Sequence, residues 1–188
     1  HRTKDVGRPK TESARDTIGT LNPGIAVNMH RTRLTASNAF ELIGGYDIVA
    51  DGSDNFATRF LVNDACFLAR RTLVFAAVTE FDGQLATFKA HDRSHAFPCY
   101  RCLFPEPPPP GTVPSCSETG VLGAAAGVMG TLQALEVIKE VAGIGESLAG
   151  HLLIYDALAT NFRKIRLSAD PACPLCGSNP SVTGLTAP

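Results

Sequence analysis

The chain of 188 residues predicts an α/β fold, a Rossmann-like mixed sheet flanked by helices, with a four-cysteine zinc site tying down the C-terminal tail. Three observations predict it. The apolar run "YDIVADGSDN" stops abruptly in polar residues, the pattern of a strand buried on both faces of a parallel sheet. "FATRFLVNDACFLARR" follows at helical period, with Phe60, Leu61, Asp64, Phe67 and Leu68 partitioning by face. Two CxxC pairs, Cys99/Cys102 in "PCYRC" and Cys173/Cys176 in "PACPLCG", lie far apart in the chain, so a shared metal would bind the tail back onto the domain.

The remaining elements fill in that frame. Pro9 suits the first turn of a helix that continues over 11–18. "GIAVNMHRTRL" alternates in part and predicts a strand, and "NAFELIG" a short helix. "TLVFAAVTEFDGQLATFKA" reads as two strands joined at Phe81-Asp82-Gly83, because Asp-Gly between apolar runs signals a hairpin. The prolines of "PEPPPPGTVP" predict extended polyproline II, a linker or an SH3-type ligand. A long small-residue helix begins after them, and "HLLIYDALATNFRKIRL" has the look of a final hairpin. Strand and helix alternate first and antiparallel strands come later, which makes the sheet mixed and 1–188 one domain.

Composition excludes several classes. Net charge is −1, so no basic surface argues for nucleic acid. The most membrane-like stretch, 120–138, carries Gln133 and Glu136 and runs into "KEVAG", which predicts a buried or interface helix and not a span. With four of six cysteines in CxxC pairs, the pattern is metal in a reducing compartment, and the cytoplasm is expected. No GxGxxG is present, which disfavours a dinucleotide-dependent oxidoreductase.

The candidate site residues follow from charge and position. Arg8 and Lys10 stand at the positive end of the first helix dipole, where cations are disfavoured unless an anion binds. Lys10, with Arg8 beside it, is therefore expected to meet a phosphate, the alternative being a solvated lysine near Glu12. Asp51 and Asp54 lie at the carboxyl end of a strand, the edge where open α/β sheets bind ligands. They fit Mg²⁺ on a nucleotide or a ribose hydroxyl, while Ser53, Asp54 or Asn55 equally fits a helix N-cap. Cys116, just before the long helix, is a candidate nucleophile with a lowered thiol pKa. Cys66 reads as inert core, and His91 and His95 show no partner pattern. Four thiolates in two knuckles leave no open coordination position, so the metal is structural; redox pairs or free thiols are the alternative.

"GRPKTESARD", "DIVADGSDNFATRFLVNDAC", "PCYRC", "CSETGVLGAAAGVMGTLQALEVIK" and "CPLCG" stand in the order found in the MoeB/ThiF (HesA) family, adenylyltransferases related to ubiquitin-activating enzymes, and the chain resembles that family over residues 6–177. The resemblance implies use of ATP and Mg²⁺ to adenylate the C-terminal Gly-Gly carboxylate of a ubiquitin-like sulfur carrier protein, for molybdopterin or thiamin synthesis. It implies Lys10 on the ATP phosphates, Asp54 on Mg²⁺ with Asn55 beside the nucleotide, Zn²⁺ on Cys99, Cys102, Cys173 and Cys176, and Cys116 as a covalent thiol. It further implies a homodimer and a sulfur donor such as a cysteine desulfurase or rhodanese. The family's Gly-rich nucleotide loop lies upstream of the "GRPK" match, so the chain is expected to be an N-terminally incomplete adenylyltransferase domain. A non-catalytic carrier-binding or dimerisation module is the alternative.

Overall fold

A computed structural model describes residues 1–92, 94–109, 112 and 119–185, and the chain divides into two compact units, His1–Leu34 and Thr35–Pro188. Cys116 lies outside the described residues, as does the end of the proline run at Pro110.

In the first unit a 3₁₀ turn, Thr3–Asp5, precedes helix α1, Lys10–Leu21, whose N-cap is Pro9. The electrostatic problem posed by Arg8 is solved locally. Its guanidinium donates to Asp5 Oδ1 at 2.7 Å and to Asp16 Oδ2 at 2.8 Å, so two carboxylates of its own unit balance its charge. The backbone N–H of Arg2, and then Arg8, hold the Asp5 carboxyl below the usual range. Residues 24–34 do not form the predicted strand. A strand needs a neighbour to satisfy its N–H and C=O groups, and no described strand belongs to this unit.

The second unit holds a five-stranded sheet in the order β1-β2-β3-β4-β5. The strands are β1 Ile48–Asp51, β2 Thr72–Thr79, β3 Asp82–Phe88, β4 His151–Asp156 and β5 Asn161–Arg166. Only β1 and β2 pair in parallel; the other neighbours are antiparallel. The expectation that β1 is buried on both faces is corrected for the described residues: Ile48 and Val49 are half-buried and Ala50 is exposed, and the doubly buried strand is β2. Val74 and Ala76 point to one face and Leu73 and Phe75 to the other, as the two-residue period requires.

Each face has its own cover. Helix α5, Gly123–Ala142, packs through Ala125 and Met129 on Val74, Ala76, Leu85 and Tyr155. On the opposite side lies helix α3, Phe56–Leu68, with α2, Ala39–Gly44, beside it and the short helix α4, Tyr100–Leu103, against it. The buried Tyr100 ring stands 5.1 Å from Phe75 and 5.2 Å from Phe60. Because α3 has neighbours all round, Arg59 to Cys66 are buried without a break, where the sequence predicts a one-sided helix.

The β2–β3 hairpin turns one step earlier than predicted. Thr79 pairs with Asp82, so Glu80 and Phe81 form the loop and Gly83 is already in β3. Glycine at 83 makes room for α5: a Cβ there would lie 2.5 Å from Met129 Cγ and Sδ, so that side chain would have to shift. Among the described residues no helix is long and apolar enough to cross a membrane.

Candidate active site and metal centre

The carboxyl ends of β1 and β2 open into a cavity of about 280 Å³. Its polar lining is Ser53, Asp54, Arg59 and Gln133; Ala76, Ala77, Val78 and Met129 supply much of the apolar wall. The β1–α3 loop carries Asp54 to this mouth, where the residue is exposed. Asn55 is the N-cap of α3, its Oδ1 accepting from Thr58 N at 2.8 Å, while its Nδ2 donates to Asp54 Oδ1 at 3.2 Å. Of the three capping candidates, Asn55 takes the task, and Asp54 is thereby left to face the cavity.

The loop is held from several sides. Asp51 Oδ1 accepts from Ser53 N at 2.9 Å. Arg59, buried and set over the Phe56 and Phe75 rings, donates through Nε and Nη2 to Ser53 O, both at 3.2 Å. Gln133 Nε2 reaches from α5 to Asp51 O and Val74 O. Two buried polar atoms here have no protein partner, Asp51 Oδ2 and Ser53 Oγ. Leaving such atoms unpaired is costly, and of the two residues Ser53 lines the cavity. Arg59 is not among the residues predicted for the site, and Gln133 enters the sequence reasoning only as an obstacle to membrane insertion. The available signal was polar residues at helical spacing on the buried sides of α3 and α5.

Lys10 is the first residue of α1 and is exposed, and its carbonyl accepts from Ser13 Oγ at 3.1 Å. Within its own unit Glu12 pairs with Arg8 at 3.8 Å and Arg31 at 3.7 Å.

The four predicted metal ligands do meet. The sulfurs of Cys99, Cys102, Cys173 and Cys176 all lie within 4.8 Å of one another. Approaches of 3.6 Å, Cys99 to Cys173, and 3.4 Å, Cys102 to Cys176, run between the knuckles. Four ligands at the usual Zn–S distance stand about 3.8 Å apart at the corners of a tetrahedron, so this donor set fits such an ion. The separations far exceed the roughly 2.05 Å of a disulfide.

The thiols' proton affinities are driven apart by crowding. Hydrogen bonding to Cys176 and Cys99 pulls Cys102 down, and bonding to Cys99 sets Cys173 at about 6. Cys99 and Cys176 are pushed up, chiefly by their bonds to Cys102. Local backbone shapes the knuckles: Asp170 N donates to Cys102 Sγ at 3.4 Å, and Gly177 N to Cys173 O at 3.1 Å. Gly177 has no substitute, since a Cβ would lie 2.5 Å from Cys173 O and 2.6 Å from Pro171 O.

Two other groups are inert by geometry. The Cys66 thiol is pushed up to about 12, by burial first and then by the Asp51 charge. His95 Nδ1 faces both Ser94 Oγ and Asp92 Oδ2, so no ring nitrogen bridges the pair as a relay would need.

Fold and site together define a class: an α/β mixed sheet with a cavity-lining carboxylate, Asp54, at the end of a parallel strand pair and a four-thiol centre. The chain belongs to the ThiF family, whose model matches residues 1–175. It is 52% identical over 181 residues to a sulfur carrier protein adenylyltransferase of Thermus thermophilus, covering 95% of this chain and 66% of that protein. It is 46% identical over 186 residues to the adenylyltransferase and sulfurtransferase MOCS3 of Culex quinquefasciatus, covering 98% of this chain and 42% of that protein. The chain thus spans two thirds or less of these relatives. Among solved structures, E. coli MccB with ATP superposes with a TM-score of 0.77 at 17% identity, covering 94% of this chain and 53% of that one, a likeness of fold.

Proposed function

We propose that the protein activates a ubiquitin-like sulfur carrier by adenylation, with residues 1–188 forming part of one adenylyltransferase-type domain. The observation that carries the reading is the cavity at the carboxyl ends of β1 and β2, lined by Asp54 together with Ser53, whose buried Oγ has no protein partner. The relatives' names supply the reaction class.

In this reading Lys10 binds the ATP phosphates and Asp54, oriented by Asn55, holds Mg²⁺, which offsets phosphate charge when bound. The carrier's C-terminal Gly-Gly carboxylate is already ionised, so no protein base is needed. Its oxygen forms a bond to the α-phosphorus as the bond to pyrophosphate breaks, and pyrophosphate leaves with the electron pair. Cys99, Cys102, Cys173 and Cys176 would hold Zn²⁺, whose part is to join the tail to the sheet. Cys116 is the thiol assigned to covalent exchange with the carrier or with a sulfur donor, a cysteine desulfurase or rhodanese. The exposed apolar residues of α5, Leu135, Ile138 and Val141, are assigned to a homodimer contact. The pathway is molybdopterin or thiamin synthesis, in the cytoplasm.

Carrier-dependent ATP–pyrophosphate exchange in the full-length protein tests the reading. Exchange is expected with the intact protein and expected to vanish in Asp54→Ala and Lys10→Ala. Undiminished exchange in Lys10→Ala would remove its phosphate role, and carrier binding without exchange would leave a docking module.

A further inference from the structure

The buried stripe of α5 runs through Ala125, Met129 and Glu136 with Gln133 on the same side, and two of these side chains are polar. A polar group on such a stripe needs a reason. Glu136 has one in the fold: it accepts from Leu148 N at 3.3 Å and Thr87 Oγ1 at 3.5 Å, fastening the loop before β4 to β3.

Gln133 does something else. Its single Nε2 donates to Asp51 O at 2.8 Å and to Val74 O at 2.9 Å, one carbonyl on each strand of the parallel pair. Both partners are acceptors, which fixes the amide orientation. Asp51 is the last residue of β1, which among the described residues pairs with β2. Gln133 also lines the cavity that Asp54 faces.

We propose that Gln133 is a positioning residue for the activation site: by clamping the end of β1 to β2 from α5, it sets where the Asp54 carboxylate stands. The proposal rests on the reading above, that Asp54 holds the metal of Mg²⁺–ATP. An apolar side chain of equal size would fill the space but leave both carbonyls unclamped.

The test is Mg²⁺–ATP binding to the full-length protein by calorimetry, with thermal unfolding measured in parallel. Gln133→Met is expected to weaken binding roughly 10- to 100-fold, the scale of a small misplacement at a reacting centre. Gln133→Lys, whose ammonium donates to both carbonyls, is expected to recover most of that loss. In an Asp54→Ala background Gln133→Met is expected to add no further loss, because it acts through Asp54. A Gln133→Met protein with lowered thermal stability but wild-type affinity overturns the proposal, as does strict additivity with Asp54→Ala. Should Gln133→Met fail to fold, Gln133→Asn, too short to reach both strands, takes its place against Gln133→Lys. Absence of Mg²⁺–ATP binding in the wild type would overturn the parent reading; normal binding in all Gln133 variants would overturn this one alone.

Discussion

Arg101 grips both carboxylate oxygens of Asp64, Nε to Oδ1 at 2.8 Å and Nη2 to Oδ2 at 2.7 Å, and so joins the first cysteine knuckle to the helix that carries the site loop. A second link runs beside it, Asn63 Oδ1 accepting from Tyr100 N at 2.9 Å. Both side chains of the ion pair are largely buried, at 15% and 9% exposure, so removing one strands the other's charge. Asp64→Ala is expected to cost about 3 kcal/mol of stability, read by urea denaturation. A change within the noise of a surface pair would show that the bridge is only peripheral.

The four-thiol centre predicts one zinc ion per chain by elemental analysis. Cys173→Ser is expected to lose the metal and lower the melting temperature, since the tail is then released from the sheet. Gly177→Ala should weaken metal retention as well, because backbone atoms and not a movable side chain meet the new Cβ. Competition with a chelator measures both. Full metal content and unchanged melting in Cys173→Ser would refute the tail-tying role.

Gly83 is a packing glycine. Gly83→Ala forces Met129 away from β3 and is expected to destabilise the protein by about 1–3 kcal/mol, measured by thermal or denaturant unfolding. Much of that cost should disappear when Met129→Ala is combined with it, the signature of two residues competing for one space.

Asp92 is expected to titrate at about 2, because the hydroxyl and backbone N–H of Ser94 both donate to its carboxylate. The ionised form is the one the fold favours, so the contribution is whole above the ordinary carboxylate range near 3.8 and is lost as pH falls toward 2. Ser94→Ala should move the Asp92 titration upward in a ¹³C-detected NMR experiment. An unmoved titration would mean that Ser94 is not the cause.

The cysteine spacing and the DxxDN run were legible because their chemistry is written in adjacent residues. Less legible was anything that depends on what stands opposite. Strand β1 has the composition of a strand buried on both faces, yet among the described residues Ile48 and Val49 are half-buried and Ala50 is exposed, since composition does not report what covers a strand. The segment 24–34 alternates like a strand and forms none among the described residues, because alternation alone does not supply the neighbour that a strand needs. Asp-Gly marked the right hairpin for a mistaken reason, the glycine being set by Met129 in a helix far along the chain.

Local pattern and ligand spacing suffice for the α/β class, for the four sulfurs that would share a metal, and for the carboxylate at a strand end. Folding had to assign the rest: that Asn55 caps α3 while Asp54 faces the cavity, that Arg8 is neutralised by Asp5 and Asp16, and that Gln133 bridges two strands. The reason is physical. A polar side chain's role is fixed by the partner that satisfies it, and for the Gln133 bridge those partners are 82 and 59 positions away along the chain.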